Sequence, residues 1–342
     1  TGRTLRRLSA FADVQSVLAA CADEKPLWVS SPRGAKLRGD IERFSEHEPA
    51  YGELELVVPD GQILHALDWR HDTVVPLLRH VHRLTAPNPS YMTGPGTNTY
   101  IIGEPGNWAV IDPGPDDEQH VARIASFVGD GLKYILCTHA HLDHAPGAVI
   151  LKRLTNAPIL TAPAGTNSRS DWKFDPDRTL NHGDKLVLGD TTLRAIHTPG
   201  HASNHLCFLL EEDALLLSGD HINNGSTVVI DPPDGNMSDY LRALHDLLAE
   251  KIDFILPAHG YVLGPANVAI RHLIAHRLTR EAKVLGAVRR AGKAGLDKLL
   301  PLVYDDVRPE LHRVASRSLL AHLQKLSEDG LVTELSDQWQ AA

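Results

Sequence analysis

Between positions 139 and 144 the chain carries His139, His141, Asp143 and His144, within the run THAHLDHAPGA. Few stretches constrain a fold so tightly, because four ligand-competent side chains must be given somewhere to converge. The stretch 133–137 (KYILC) just before it predicts a buried strand, and Gly147 opens an apolar run that reads as a helix start. In extended backbone, side chains two apart share a face, so His139 and His141 can grip one ion together. Asp143 and His144 fall where strand gives way to helix and can face a neighbouring ion. Imidazole and carboxylate together suit zinc and its first-row neighbours. A single histidine is ordinarily a core or surface residue, but a metal site explains all four positions at once.

Three later stretches extend the pattern. IHTPGHASNH (196–205) puts His201 after a strand-like run and a Pro-Gly turn, LLLSGDHI (215–222) ends an apolar run at Asp220, and FILPAHG (254–260) ends another at His259. Each ligand type stands at a strand end beside glycine, in a loop that a rigid sheet can hold in place. The four stretches together resemble the metallo-β-lactamase superfamily, in which HxHxDH is followed by His, Asp and His in this order. The resemblance implies an αββα fold with two metal ions: His139, His141 and His201 at the first, Asp143, His144 and His259 at the second, and Asp220 bridging them. It also implies a hydroxide shared by the ions. Two divalent ions bring the pKa of such a water towards neutrality, and the same ions polarise a carbonyl or phosphoryl oxygen. Asp143 is then the candidate catalytic residue, orienting the nucleophile and shuttling its proton. The ligand set points to zinc but also accepts manganese or iron. Asp112, in AVIDPGP, resembles the family's buried supporting aspartate; an Asp that merely initiates a turn before Pro-Gly fits equally well. Thr138 is either a support for the ligands or a strand-end hydroxyl. His182, His197, His205 and His221 are assigned ordinary surface or packing roles.

Subgroups of the superfamily differ at these positions. Diiron redox members carry glutamate where this chain has His141, and persulfide-oxidising members use fewer protein ligands at one iron. The full set here implies hydrolysis. GPGTNTYIIG (94–103), SDYLRALHDLL (238–248), AHRLTRE (275–281) and HRVASRSLLAHLQKLSEDGLV (312–332) resemble β-lactamase-like protein 2 and its bacterial relatives, over about residues 87–335.

The chain's 342 residues divide accordingly. Residues 1–86 read as a small α+β extension of unknown role, with a helix over 9–24, strands at 27–29 and 54–58, a turn at 59–61, and a helix or strand between 73 and 84. Residues 87–265 alternate short apolar strands with polar turns and interposed helices, the clearest beginning at Asp116-Asp117-Glu118 with Val121, Ile124, Ala125 and Val128 as its buried stripe. A layered α/β sandwich is the expected architecture. Residues 266–342 read as a long basic helix followed by a winged-helix module, whose long helix over 313–326 offers Val314, Leu319, Leu320, Leu323 and Leu326 to a core.

Charge and composition narrow the partners. A formal net charge of −9 argues against a chain dominated by non-specific nucleic-acid binding. No apolar run reaches the roughly 18 residues that span a bilayer. Cys21, Cys137 and Cys207 form no C-x-x-C, which fits a reducing compartment and excludes cysteine ligation of the metal. The arginines of TGRTLRRLSAF read as a solvated helix start rather than a fragment of a transit peptide, so a cytoplasmic location is expected, or the mitochondrial matrix if the source is eukaryotic. Seven Lys/Arg against one acid between Arg271 and Lys293 offer Arg277 and Arg280 as candidates to attract an anionic substrate, single-stranded RNA or an acyl-CoA alike; the alternative is a solvated face. Five basic against eight acidic residues from 296 onward make stable DNA binding a poor expectation for the winged helix, which is read as packing against the hydrolase or shaping its cleft.

The reading is therefore a dinuclear metal hydrolase cutting an ester-like or phosphodiester bond of an anionic substrate. A thioesterase resembling glyoxalase II, acting on acyl-CoA or glutathione thioesters, is the first alternative. A winged-helix nucleic-acid binder with a vestigial metal domain is the second.

Overall fold

The computed structural model describes residues 8–9, 11–23, 32–58, 62, 65–163 and 175–342. Among the described residues come helix α1 (Val14–Asp23), the hairpin β1 (Arg33–Leu37) and β2 (Asp40–Phe44), and helix α2 (Tyr51–Val57). Next come β3 (Val75–Leu78), β4 (Val81–Thr85), β5 (Asn98–Glu104) and β6 (Asn107–Ile111), then α3 (Glu118–Val128), β7 (Leu132–Leu136), α4 (Pro146–Thr155), β8 (Ile159–Thr161) and β9 (Arg178–Thr179). These seven strands form one sheet in sequence order, antiparallel from β3 to β6 and parallel from β6 to β9.

A second sheet takes β10 (Lys185–Leu188), β11 (Thr191–His197), β12 (Leu206–Leu210), β13 (Leu215–Gly219) and, beyond α5 (Met237–Leu247), the parallel strand β14 (Phe254–Pro257). The inner faces meet in one core, where Tyr100, Ile102 and Ile111 of the first sheet join Leu193, Phe208 and Leu217 of the second. Helices α3 and α4 cover the outer face of the first sheet, burying Val121, Ile124 and Leu151 against Ile101, Val110 and Ile135. The outer face of the second is covered by α5 and by α6 (Ala266–Ala291), through Tyr240, Leu244 and Ile270. Central strands are buried on both faces, which is why β12 reads as an unbroken apolar run rather than an alternating one. Helix α3 begins where expected because the Asp117 carboxylate accepts from the Gln119 and His120 amides.

The long helix α6 serves two cores. Ile270 and Ile274 pack on the second sheet, while Val284, Ala287 and Val288 enter the C-terminal core. That core is closed by α7 (Leu296–Val303), α8 (His312–Glu328) and a three-stranded sheet of β15 (Lys293–Ala294), β16 (Val332–Leu335) and β17 (Gln338–Ala341), a winged-helix arrangement. Ala321 of α8 packs into the hydrolase-side cluster.

The N-terminal segment departs from expectation. Residues 54–58 are not a strand: they fall mainly in α2, where Tyr51, Leu54, Leu56 and Val57 are all buried, so alternation of apolar residues hid a helix enclosed by neighbours. Strands β3 and β4 belong to the large sheet, β4 pairing directly with β5, so the boundary expected after residue 86 runs through a sheet. Glu53 ties α2 to that sheet: Arg83 Nη1 donates to its carboxylate at 2.5 Å and His65 Nε2 lies 2.8 Å away, all three residues being buried. The expected strand at 27–29 and turn at 59–61 lie outside the described residues. Among the described residues no helix is long and apolar enough to cross a membrane.

Candidate metal centre

The strand ends of both sheets open on one side of the sandwich, and the sequence-predicted ligands meet there. His139, His141, Asp143 and His144 occupy the turn between β7 and α4, His201 the loop between β11 and β12, Asp220 the end of β13, and His259 the loop after β14. Their ligand atoms form two groups, each with its atoms within 4.8 Å of one another: His139, His141, His201 and Asp220, and Asp143, His144 and His259. Asp220 belongs to both neighbourhoods, its Oδ2 lying 3.5 Å from His201 Nε2 and its Oδ1 3.1 Å from His259 Nε2.

Glycines make the close approach possible. A Cβ on Gly147, at the start of α4, would stand 2.5 Å from the Pro113 carbonyl oxygen, and one on Gly219 would stand 2.6 Å from His205 Nε2 and 2.7 Å from Thr138 Oγ1. Gly219 also has a φ of +49°, so it fits its place on both counts.

The hydrogen bonds behind the histidines decide which nitrogen faces the centre. His144 Nδ1 donates to Asp112 Oδ2 at 2.9 Å, His201 Nδ1 to the Val229 carbonyl at 2.7 Å, and His259 Nδ1 to the Gly96 carbonyl at 3.3 Å. Thr138 Oγ1 donates to Asp112 Oδ2 at 2.8 Å, which leaves its lone pair for His139 Nδ1 at 2.9 Å. In each of these four rings Nδ1 is engaged and Nε2 is the nitrogen turned toward the centre. His141 turns Nδ1 inward instead, 2.9 Å from His139 Nε2 and 3.1 Å from His201 Nε2. One proton on His141 Nδ1 can serve only one of the two facing nitrogens well, whereas a cation takes a lone pair from all three. His144 Nε2 is buried with no hydrogen bond, although Asp143 Oδ2 lies 3.3 Å away. That orphaned nitrogen is what a metal ligand looks like without its ion, so the residues fit a metal in both groups.

Electrostatics separate the groups. Burial and the surrounding imidazoles push His139 well down and His141 down to about 3, so both are neutral and ready to ligate. Burial opposes a charge on His259 and His144, yet the Asp220 and Asp143 carboxylates overcome it and push His259 up to about 9 and His144 well above its usual range. Burial acts against ionisation of Asp143 and Asp220 as well, but the neighbouring histidines hold both carboxyls well below the usual range. Protons here stand where divalent charge would stand.

Asp112 is placed behind the candidate ligands, at a turn. It is buried, sits at a φ of +50°, and accepts from the Thr138 amide and hydroxyl as well as from His144. His205, read from sequence as packing, has a directed role: its Nε2 accepts the Asp220 amide at 3.1 Å while Nδ1 meets Thr198 Oγ1. Its place four residues after His201 is the only signal the sequence offered. His221 is buried against the Tyr240 ring, and His182 and His197 are exposed.

Arg277 and Arg280 do not reach the centre. Arg277 is buried over the Tyr240 ring and donates to the Val228 carbonyl. Arg280 makes a two-point pair with Asp306 and stacks on Tyr304. Acids of the winged-helix module pair with Arg280 and Lys283 of the expected basic face, and Arg277 is engaged by a backbone carbonyl. His141, Asp143, His201, Asp220 and His259 instead line a cavity of about 540 Å³ whose walls include Met92, Leu142, Val228, Val229 and, from the winged helix, Arg317.

Comparison with known proteins agrees with this geometry. The Metallo-beta-lactamase superfamily profile matches residues 92–259, and the Beta-lactamase associated winged helix domain profile matches residues 296–339. A lactamase-like protein of Trichophyton rubrum is 31% identical, over 77% of this chain and 85% of its own length. An atrochrysone carboxyl ACP thioesterase of Aspergillus novofumigatus is 30% identical, over 74% of this chain and 80% of its own length. Among solved structures, a beta-lactamase domain protein from Burkholderia ambifaria aligns with a TM-score of 0.70 at 20% identity, covering 80% of this chain and 94% of its own. A metallo-beta-lactamase family protein from Thermus thermophilus aligns at 0.66, also at 20% identity, covering 78% of this chain and all of its own.

Proposed function

The chain belongs to the metallo-beta-lactamase superfamily, and on that premise we propose that this hydrolase holds a divalent ion in each ligand group and cleaves thioesters of an anionic acyl carrier. The observation that carries the two-ion reading is the convergence of seven ligand atoms into two groups that share Asp220. The thioester reading is supported by the relative named as an acyl carrier protein thioesterase. It is also supported by the acidic balance of the winged helix, which disfavours a nucleic-acid substrate.

When bound, the ions supply an activated water at neutral pH and a Lewis acid for the scissile carbonyl. Asp143 is fixed for its part by Thr97, whose hydroxyl donates to Oδ2 at 3.2 Å. Its carboxylate orients the attacking water and takes up its proton. A carbon–oxygen bond forms, the carbon–sulfur bond breaks, and that proton passes to the departing thiolate. Asn223 Nδ2 donates to Asp220 Oδ1 at 3.2 Å and limits the rotation of the shared carboxylate. Tyr91, Met92 and Leu142 form an apolar lip on the cavity, 77%, 47% and 50% exposed, suited to an acyl chain.

The test is thiol release from acyl-CoA and from an acyl-loaded carrier protein, with chelated and metal-reconstituted enzyme, and single-stranded RNA assayed alongside. Metal-dependent thiol release that Asp143→Ala reduces by about a hundredfold or more is expected, in line with loss of a general base. RNA cleavage without thiol release would overturn the thioester reading.

A further inference from the structure

Building on the thioester reading, we infer that Arg317, contributed by the winged helix, is a specificity-determining residue that binds the phosphate of a phosphopantetheine-linked substrate. Among the described residues lining the catalytic cavity it is the one Lys or Arg. It arrives from α8, outside the sandwich, so the winged helix completes the cleft.

The setting suits an exchangeable anion contact. Arg317 Nη1 lies 3.3 Å from Asp231 Oδ2, with the two side chains 46% and 32% exposed. A pair as exposed as this contributes little on its own, so a phosphate that offers two oxygens to the guanidinium can draw it across. Arg317 is also aimed at a wall that other contacts hold still. Arg277 donates to the Val228 carbonyl and His201 Nδ1 to the Val229 carbonyl, in the backbone that leads to Asp231. A second cation of the module, Arg308, lies with its guanidinium 5.8 Å from the ring centre of Tyr91 on the cavity lip. Both cations therefore stand on the winged-helix side of the mouth, while the ligands and the apolar lip lie on the hydrolase side. An acyl thioester on phosphopantetheine has the matching layout: an apolar acyl group, the reactive carbonyl, and a phosphate at the far end of the arm.

The experiment compares binding of phosphopantetheine and pantetheine by calorimetry to the full-length, metal-loaded protein and to Arg317→Ala and Arg317→Lys. Wild type should prefer phosphopantetheine by about tenfold, the scale of one charged hydrogen-bonding contact. Arg317→Ala should erase the preference and Arg317→Lys should keep part of it. The ratio of kcat/KM for acyl-CoA over a neutral N-acetylcysteamine thioester should fall by about tenfold in Arg317→Ala, and the same comparison with acyl-loaded carrier protein shows which source of the arm is used. Equal binding of the two ligands by wild type, or equal weakening of both in Arg317→Ala, would overturn the inference. So would displacement of phosphopantetheine by single-stranded RNA that the enzyme then cleaves. A phosphate preference that depends on Arg317 without turnover of any thioester would sink the thioester reading and leave the subsite standing.

Discussion

Asp112 and His144, thirty-two positions apart, meet at 2.9 Å, and the same carboxylate oxygen takes the Thr138 hydroxyl at 2.8 Å. One buried aspartate thus fixes a ligand of each group, His144 directly and His139 through Thr138. Asp112→Asn keeps the shape and tolerates the left-handed backbone but loses acceptor capacity. Metal affinity should drop by about ten- to a hundredfold, measured by competition with a chromogenic chelator. Unchanged affinity would mean that Asp112 only shapes the turn.

The Gly219 position is closely filled. Gly219→Ala places a methyl against His205 and Thr138 at a φ that costs an L-residue roughly 1–2 kcal/mol before any clash. A lower melting temperature together with reduced metal content is expected. A variant that loses neither would show that the β13 end relaxes freely.

Glu53 predicts a pH dependence remote from the centre. Burial raises its pKa, but the charge of Arg83 and the hydrogen bonds from His65 and Arg83 outweigh it and hold Glu53 at about 2, against an ordinary 4.5. A depressed carboxyl contributes stability that is complete above its unfolded pKa and is lost as pH falls through the folded one. Urea unfolding from pH 6 to pH 2 should show stability falling below 4.5. Glu53→Gln should lose roughly 3–5 kcal/mol at neutral pH, because Arg83 is left buried and unpaired, and should show a shallower acid limb. Parallel curves for the two proteins would contradict this assignment.

Arg277 and Arg280 should behave as structural residues. Arg277→Met removes a buried donor and should destabilise by about 1–3 kcal/mol, whereas Arg280→Ala, whose partner Asp306 is exposed, should cost no more than about 1 kcal/mol. Thermal unfolding separates them. A raised KM in Arg280→Ala without loss of stability would restore it as a substrate contact.

The candidate ligands were legible in sequence because His139 to His144 lie in one turn and the remaining three stand at strand ends marked by glycine. Asp112 was half legible: its DPG context fits a turn and a support equally, and only the distance to His144 separates them. Arg317 could not be chosen over Arg277 and Arg280, since all three lie on helices with basic residues, and sequence does not say which cation an acid neutralises. Asp306 takes Arg280, the Val228 carbonyl takes Arg277, and Asp231 leaves Arg317 half exposed in the cleft. Helix α2 was misread because residues enclosed on all sides lose the periodicity that tells helix from strand.

Each of the two ligand groups is proposed to hold one ion. Metal content per chain, determined by elemental analysis after reconstitution and removal of free metal, tests it most directly when wild type is compared with His259→Ala, which removes a ligand of one group only. About two ions per wild-type chain and about one in His259→Ala are expected for paired four-ligand sites. A wild-type chain that binds a single ion, or a His259→Ala variant that binds as many as wild type, would rule out one ion in each group.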